Sequence, residues 1–295
     1  MIGFLGAGTS AAWSPWVTPF VHRLNELGWT EGRTVAIEFR WAEGRPERAA
    51  EITKEFIQLK IDVLVTSGAL LLEAKQASSH FPTVLVLAND PVGSGFAQSL
   101  ARPGGNVTGL SFQGADVASK RLELLREVVP DVRRLAVLMN KNNPGATLEI
   151  GEVEAAARIL RVETVRVEYQ RSEEIQIAVE SLKGRVDAIY VIPDPLVNSN
   201  GVQIAKTALS GRLPTIHGFR EPVVAGGLLS YGANFPDMFR RAAEYVDKVL
   251  RGAKPAELPI EQPNKFDLVI NTKAAKALEL KIPESLLVRA DEVIE

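Results

Sequence analysis

The chain has 295 residues, 46% hydrophobic and 24% charged, a globular composition long enough for two cores of ordinary domain size. Basic and acidic residues are interspersed and nearly cancel at a net charge of −2, so no positive field exists to hold a phosphate backbone or an anionic membrane surface. Cysteine is absent, which removes disulfides, thiolate catalysis and cysteine-ligated metal, and fits an oxidising or a reducing compartment equally.

The chain starts on a strand, "MIGFLGAG", without the basic and apolar regions of a signal peptide, and no apolar run approaches the roughly 18 to 20 residues of a membrane span. The expectation is no membrane insertion, in a protein either cytoplasmic or exported with its signal removed. Strand-like runs follow at 2–5, 35–41, 63–66 and 84–88, and helical patterns such as "PWVTPFVHRLNELG" and "PERAAEITKEFIQLK" fill the gaps. A short strand at 106–112 closes this series, and the rhythm restarts. Strands at 135–139, 164–169, 188–192 and 215–219 alternate with helices near 117–128, 146–160, 173–183 and 199–209. The second series ends on "GGLLSYG" (226–232), which mirrors "GLSF" at 109–112, and an amphipathic helix follows at 236–250. A strand at 265–271 and the helix "TKAAKALEL" come last. Two βα series of matching length predict an α/β protein with two open, doubly wound, Rossmann-like sheets.

In such sheets ligands bind outside the carboxyl ends of the strands, which directs attention to the loops there. "GAGTSA" at 6–11 fits the dinucleotide fingerprint G-x-G-x-x-A, but Ser14-Pro15 looks like the cap and first residue of the helix, leaving a loop of about six residues after the glycines. The second strand also ends in Arg40-Trp41, where an acid for the ribose belongs. "VGSGF" places Ser94 between glycines without forming G-x-S-x-G, because position 92 is Val. The histidines, His22, His80 and His217, have no ligand-like spacing, and only His217 is near a strand's carboxyl end; on a buried strand it is better explained as a core residue. A P-loop is absent. No metal, cofactor or catalytic residue is expected.

A ring of small polar groups and aromatics remains. Thr9, Ser10, Ser67 and Gly68 can present hydroxyl and main-chain donors to an anion. "LANDPVGSGF" (87–96) places Asn89 and Asp90 on what looks like a flexible, exposed corner, and Asp90 and Asp194 can each accept from an ammonium. For either acid the plain alternative is a turn former. Trp13, Trp41, Phe112, Phe219 and Tyr231 can sandwich an apolar body, against the alternative of core packing. Asn140, Asn142 and Asn143 are further second-lobe contacts or simply turn residues.

The blocks "IGFLGAG", "GRTVAIEFRWAEGRPERAAE", "NDPVGSGFAQSLARPGGNVTGLSF", "KRLELLREVVP", "REPVVAGGLLSYG", "QPNKFDLVINTKAAKALEL" and "LLVRADEVI" together resemble the ABC transporter substrate-binding protein family that includes the tryptophan/tyrosine-binding proteins. The resemblance spans nearly the whole chain. It implies a type I periplasmic-binding-protein fold whose three-strand hinge joins an N-terminal lobe (1–111 plus 234–262) to a C-terminal lobe (112–233 plus 263–295). It implies a monomeric, periplasmic, non-enzymatic receptor that closes on a small solute and feeds an ABC permease of the inner membrane. In such relatives the ligand is often an aromatic amino acid, its carboxylate on loop donors and its ammonium on acids; by resemblance these are Thr9, Ser10 and Ser67, then Asp90 and Asp194. Where relatives carry a "TDN"-like turn this chain has Pro193-Asp194-Pro195, which keeps only the acid and leaves room for an aromatic acid or another amphiphile. The competing readings are a cytoplasmic ligand-sensing domain of the same fold and a nicotinamide-dependent enzyme.

Overall fold

In the computed structural model, which describes the backbone of residues 1–295 and every side chain except those of Leu71, Leu72 and Pro144, the chain divides into two units. The first is Met1–Gln113 with Phe235–Asn264, and the second is Gly114–Asn234 with Lys265–Glu295. The chain therefore passes from one unit to the other three times.

In chain order, β1 (Ile2–Gly6), α1 (Ser10–Glu26), β2 (Ile37–Trp41), α2 (Pro46–Leu59), β3 (Val63–Ser67), α3 (Leu71–Ala77), β4 (Thr83–Ala88) and β5 (Val107–Ser111) form the first series. In the second unit α4 (Ala118–Val128), β6 (Arg134–Asn140), α5 (Pro144–Ile159), β7 (Glu163–Tyr169), α6 (Ser172–Glu180) and β8 (Ala188–Val191) start the repeat. It continues with α7 (Pro195–Ser199), α8 (Gly201–Ser210), β9 (Thr215–His217), α9 (Glu221–Val224) and β10 (Leu229–Ala233). The long α10 (Phe235–Leu250) belongs to the first unit, and β11 (Phe266–Asn271), α11 (Thr272–Ala277), α12 (Glu284–Arg289) and β12 (Glu292–Ile294) complete the second.

The first sheet has the order β2-β1-β3-β4-β5, all parallel. The second has the order β12-β11-β10-β9-β8-β6-β7, in which β7-β6-β8-β9-β10 repeats the first sheet's winding and β11 runs antiparallel to β10. The doubly wound reading of the sequence is thus correct for both series. β1 and β3 are buried along their whole length, as parallel strands covered on both faces must be.

The start of α1 differs from the sequence reading. The helix begins at Ser10, capped by Thr9, and Pro15 and Pro19 lie inside it. Each proline removes one intrahelical hydrogen bond, at about 3 kcal/mol or more. Against that, α1 buries Trp13, Trp16, Phe20 and Leu24, worth about 1.5–3 kcal/mol each, so tertiary packing carries the helix through both prolines. The helix expected near 199–209 is α8, the short α7 precedes it and meets it at Asn200, and α12 and β12 follow the last expected helix.

Candidate functional site

The strand order of the first unit reverses between β1 and β3, so their carboxyl ends make its switch point, where ligands of open α/β sheets bind. After β1 the loop Gly6-Ala7-Gly8 is stitched to the loop after β2: Ala42 N donates to Gly6 O (2.8 Å), Gly44 N to Ala7 O (2.7 Å) and Glu43 N to Gly8 O (3.2 Å). Thr9 Oγ1 accepts from Ala12 N at 3.3 Å, which leaves Ser10 exposed in the first turn of α1. The Trp41 ring lies directly on Gly6, where any β-carbon would overlap it. Ser67 ends β3 with its hydroxyl buried and without a partner among the described residues, and the Trp13 indole Nε1 is a second buried donor in that condition. Gly68 presses on the end of β4, its β-carbon position only 2.7 Å from Ala88 Cα and 2.8 Å from Leu87 O.

Asp90 does not sit on a flexible, exposed corner, and that expectation is corrected. The register of β4 slips between Leu85 and Ala88, and Leu87 takes a left-handed backbone (φ 59°), a bulge that re-aims the residues after it. Asn89 O accepts from Ser111 Oγ at 3.2 Å. Asp90 is half-buried; its Oδ1 accepts from Gly93 N at 2.7 Å and its carbonyl from Ser94 N at 3.1 Å and from the Ser94 hydroxyl. Pro91 O accepts from both Phe96 N and Ala97 N. The glycines tighten this loop: Gly95 supplies a φ of 72°, and a β-carbon at Gly93 would collide with the Asp90 carboxylate. Asp90 is therefore a turn former, and its Oδ2 still takes no donor from the described residues.

In the second unit the order reverses between β8 and β6. Asp194, 6% exposed, follows β8 and caps α7, its Oδ1 accepting from Leu196 N at 2.8 Å. Its Oδ2 accepts from Asn140 Nδ2 (3.1 Å) at the end of β6 and from Asn143 Nδ2 (3.0 Å) at the cap of α5. Burial pushes the Asp194 carboxyl above the usual range, opposed by the Leu196 N–H and the two asparagines. Tyr169, paired with Asn140 in the sheet register, is fully buried beside this group. Its hydroxyl makes no hydrogen bond of normal geometry with the described residues, yet is near enough for the Asp194 charge to add to the upward shift that burial imposes. The sequence reading missed Tyr169; the available signal was a hydroxyl-bearing residue ending a strand next to the switch point.

The five aromatics divide. Trp13, Phe112 and Phe219 are core residues, whereas Trp41 and Tyr231 are half-buried. Trp13 meets Trp41 edge-on at 6.0 Å between centroids within a cluster that includes Phe4, Trp16 and Phe239. Phe112 packs edge-on against Phe235 at 5.9 Å, and Tyr231 stacks on Phe266 at 5.8 Å. His217 is fully buried, bonded through Nε2 to Thr215 Oγ1 at 3.0 Å, and burial lowers its pKa to about 3, so it is a neutral core residue. With α1 starting at Ser10, loop length no longer argues against the dinucleotide fingerprint; the Arg40-Trp41 ending of β2 still does. Among the described residues no group of three His, Asp or Glu side chains could hold a metal, and no helix is long and apolar enough to cross a membrane.

Residues 15–294 match the profile of a family described as ABC transporter substrate binding protein. The tyrosine-binding protein of Clostridioides difficile (strain R20291) is 26% identical over 264 residues, 89% of this chain and 76% of that protein. A conserved domain protein from Vibrio cholerae superposes with a TM-score of 0.93 at 26% identity, over 99% of this chain and 98% of that one. An ABC domain in complex with L-tryptophan from Streptococcus pneumoniae gives a TM-score of 0.92 at 26% identity, over 99% of each chain.

Proposed function

Because the chain belongs to the ABC transporter substrate-binding protein family, with the fold of type I periplasmic binding proteins, we propose that the small molecule it binds is an aromatic amino acid. Two relatives bear on the ligand directly: one is a tyrosine-binding protein and one was solved with L-tryptophan.

The observation that carries the reading is the polarity of the switch points. In the first unit Ser67 and Trp13 present buried donors without acceptors among the described residues, beside the first turn of α1, which suits a carboxylate. Asp90 Oδ2 is open to an ammonium. In the second unit the Asp194 carboxylate has about four lone-pair positions and uses three, which leaves one for a cation. The half-buried rings of Trp41 and Tyr231 offer faces to an aromatic body, while Trp13, Phe112 and Phe219 support from within the core. Thr9, Ser10 and Gly68 supply the remaining first-unit contacts; Asn140 acts through Asp194, and Asn89 by holding the Asp90 turn to β5.

Nothing in this arrangement asks for bond chemistry. The receptor delivers its solute to a permease from outside the cytoplasm, and a periplasmic location is part of the proposal. So is closure of the two units on the solute.

Isothermal titration with L-tryptophan, L-tyrosine, L-phenylalanine and indole-3-acetate tests the ligand class. Saturable binding of an aromatic amino acid is expected; binding of the acid lacking an ammonium with equal affinity would overturn the roles of Asp90 and Asp194. Identical small-angle scattering profiles with and without L-tryptophan would count against closure. Saturable NAD(H) binding would revive the enzyme reading.

A further inference from the structure

The second unit buries an ion pair that the solute site does not use. Arg121, on α4, is fully buried, as are Glu149 on α5 and Tyr190 in β8. Arg121 Nη1 donates to Glu149 Oε1 at 2.6 Å and to the Tyr190 hydroxyl oxygen at 3.0 Å, and that hydroxyl donates to Glu149 Oε1 at 2.9 Å. Two further bonds go to the main chain: Nη1 to Gly114 O at 3.3 Å and Nε to Tyr231 O at 2.6 Å. Gly218 and Gly232 border the guanidinium: a β-carbon at Gly218 would stand 3.0 Å from Nη2 and one at Gly232 3.4 Å, although each would collide first, with Pro193 and with Gly218 O respectively.

The two carbonyls are not arbitrary points on the fold. Gly114 is the first residue of the second unit, directly after Gln113, a non-glycine residue in the left-handed region (φ 52°). Tyr231 stands three residues before Asn234, where the chain leaves the unit again. The third passage is tied to the second: Asp267, opposite Gly232 in the sheet, accepts from Asn234 Nδ2 at 2.8 Å and pairs with Lys265 Nζ at 3.2 Å, and Lys265 is the first residue after that passage.

Stability alone does not explain Arg121, because a buried ion pair is often no more stabilising than well-packed apolar side chains of the same volume. What apolar side chains cannot do is donate to two main-chain carbonyls in separate segments. We infer that Arg121 is a positioning residue for solute binding, one that anchors the second-unit roots of two inter-unit passages and holds the strand that carries Tyr231. Glu149 keeps the guanidinium oriented, and the Tyr190 hydroxyl only adds a bond that the anchoring does not need. The inference rests on the receptor reading for its link to the solute, but the anchoring itself can be measured without ligand.

The experiment compares wild type, the volume-matched double variant Arg121→Met/Glu149→Leu, Arg121→Lys and Tyr190→Phe. Amide hydrogen exchange in ligand-free protein should accelerate about tenfold or more at residues 113–116 and 231–234 in the first two variants, with β6 and β8 still protected. Tyr190→Phe, which leaves both carbonyl bonds in place, should not accelerate those segments. L-tryptophan affinity should fall about fivefold to a hundredfold in the first two variants and less than about twofold in Tyr190→Phe. Unchanged exchange at the two segments in a folded Arg121 variant overturns the inference, as does acceleration spread evenly over the unit. If the double variant does not fold, Arg121→Lys decides, since a lysine keeps the charge but cannot span both carbonyls. Failure of wild type to bind L-tryptophan would sink the ligand assignment and leave the exchange result to judge Arg121.

Discussion

Replacing Asp194 by Asn changes one atom and sets donor against donor. The carboxylate accepts from Leu196 N on one oxygen and from Asn140 and Asn143 on the other. Neither asparagine can turn its own oxygen inward, because Asn140 Oδ1 is held by Asn142 N at 2.9 Å and Asn143 Oδ1 by Gly145 N at 3.0 Å. Either orientation of an amide at 194 therefore points its nitrogen at an N–H group. Hydrogen bonds to a charged acceptor contribute about 1.5–3 kcal/mol each, and relief of the buried charge returns part of that, so the variant should lose about 2–4 kcal/mol of stability. Urea unfolding followed by far-UV circular dichroism at neutral pH measures this. Separately, loss of the ammonium contact should weaken L-tryptophan about tenfold to a hundredfold by titration calorimetry. Stability within about 0.5 kcal/mol of wild type would refute the donor accounting, because surface substitutions alone produce changes of that size. Unchanged affinity in a folded variant would remove Asp194 from the solute site whatever happened to stability.

Asp90→Ala should weaken L-tryptophan by a similar factor while costing only about 0.5–1.5 kcal/mol of stability, the loss of one cap on Gly93 N, and thermal melts alongside titration separate the two effects. Gly6→Ala forces a β-carbon into the Trp41 ring, so destabilisation of about 1–3 kcal/mol is expected in urea; a neutral result would mean that the ring moves freely off the strand. The Asp194 carboxyl is raised by burial in the ligand-free protein, so its proton returns above the ordinary carboxylate range. L-tryptophan affinity should fall as the pH drops through the raised value, and a flat profile in wild type would contradict the ammonium assignment. By the same shift the folded protein binds this proton more tightly than the unfolded chain, so Asp194's contribution to stability is unfavourable at neutral pH and is relieved as the pH falls through the raised value.

The sheets were legible because their strands are short apolar runs between turn residues, and the winding of each series follows from strict βα alternation. The start of α1 was not, because Ser14-Pro15 is a good local cap and only the burial of Trp13 and Trp16 shows why the helix begins earlier. The loop after β4 was misjudged for a related reason: glycines suggest freedom, but here one makes room for a carboxylate and another supplies the φ of a closed turn. Ser67, Asp90 and Asp194 fell at strand ends where topology put them. Tyr169, Arg121 and Glu149 were passed over, although Arg121 shares a face with Ala118, Leu122 and Leu125, and Glu149 one with Ala146, Ile150 and Val153. A lone charge on an apolar stripe of a helix is the pattern that would have exposed the pair.

The aromatic cluster has an optical consequence. All four tryptophans, Trp13, Trp16, Trp29 and Trp41, belong to the first unit, and the second unit holds Tyr169, Tyr190 and Tyr231 but no indole. Emission excited at the red edge of the absorption band therefore sees one half of the molecule and is blind to the other. A melt in which that emission and far-UV dichroism fail to coincide would show the halves coming apart as separate cooperative bodies, with no label attached to either.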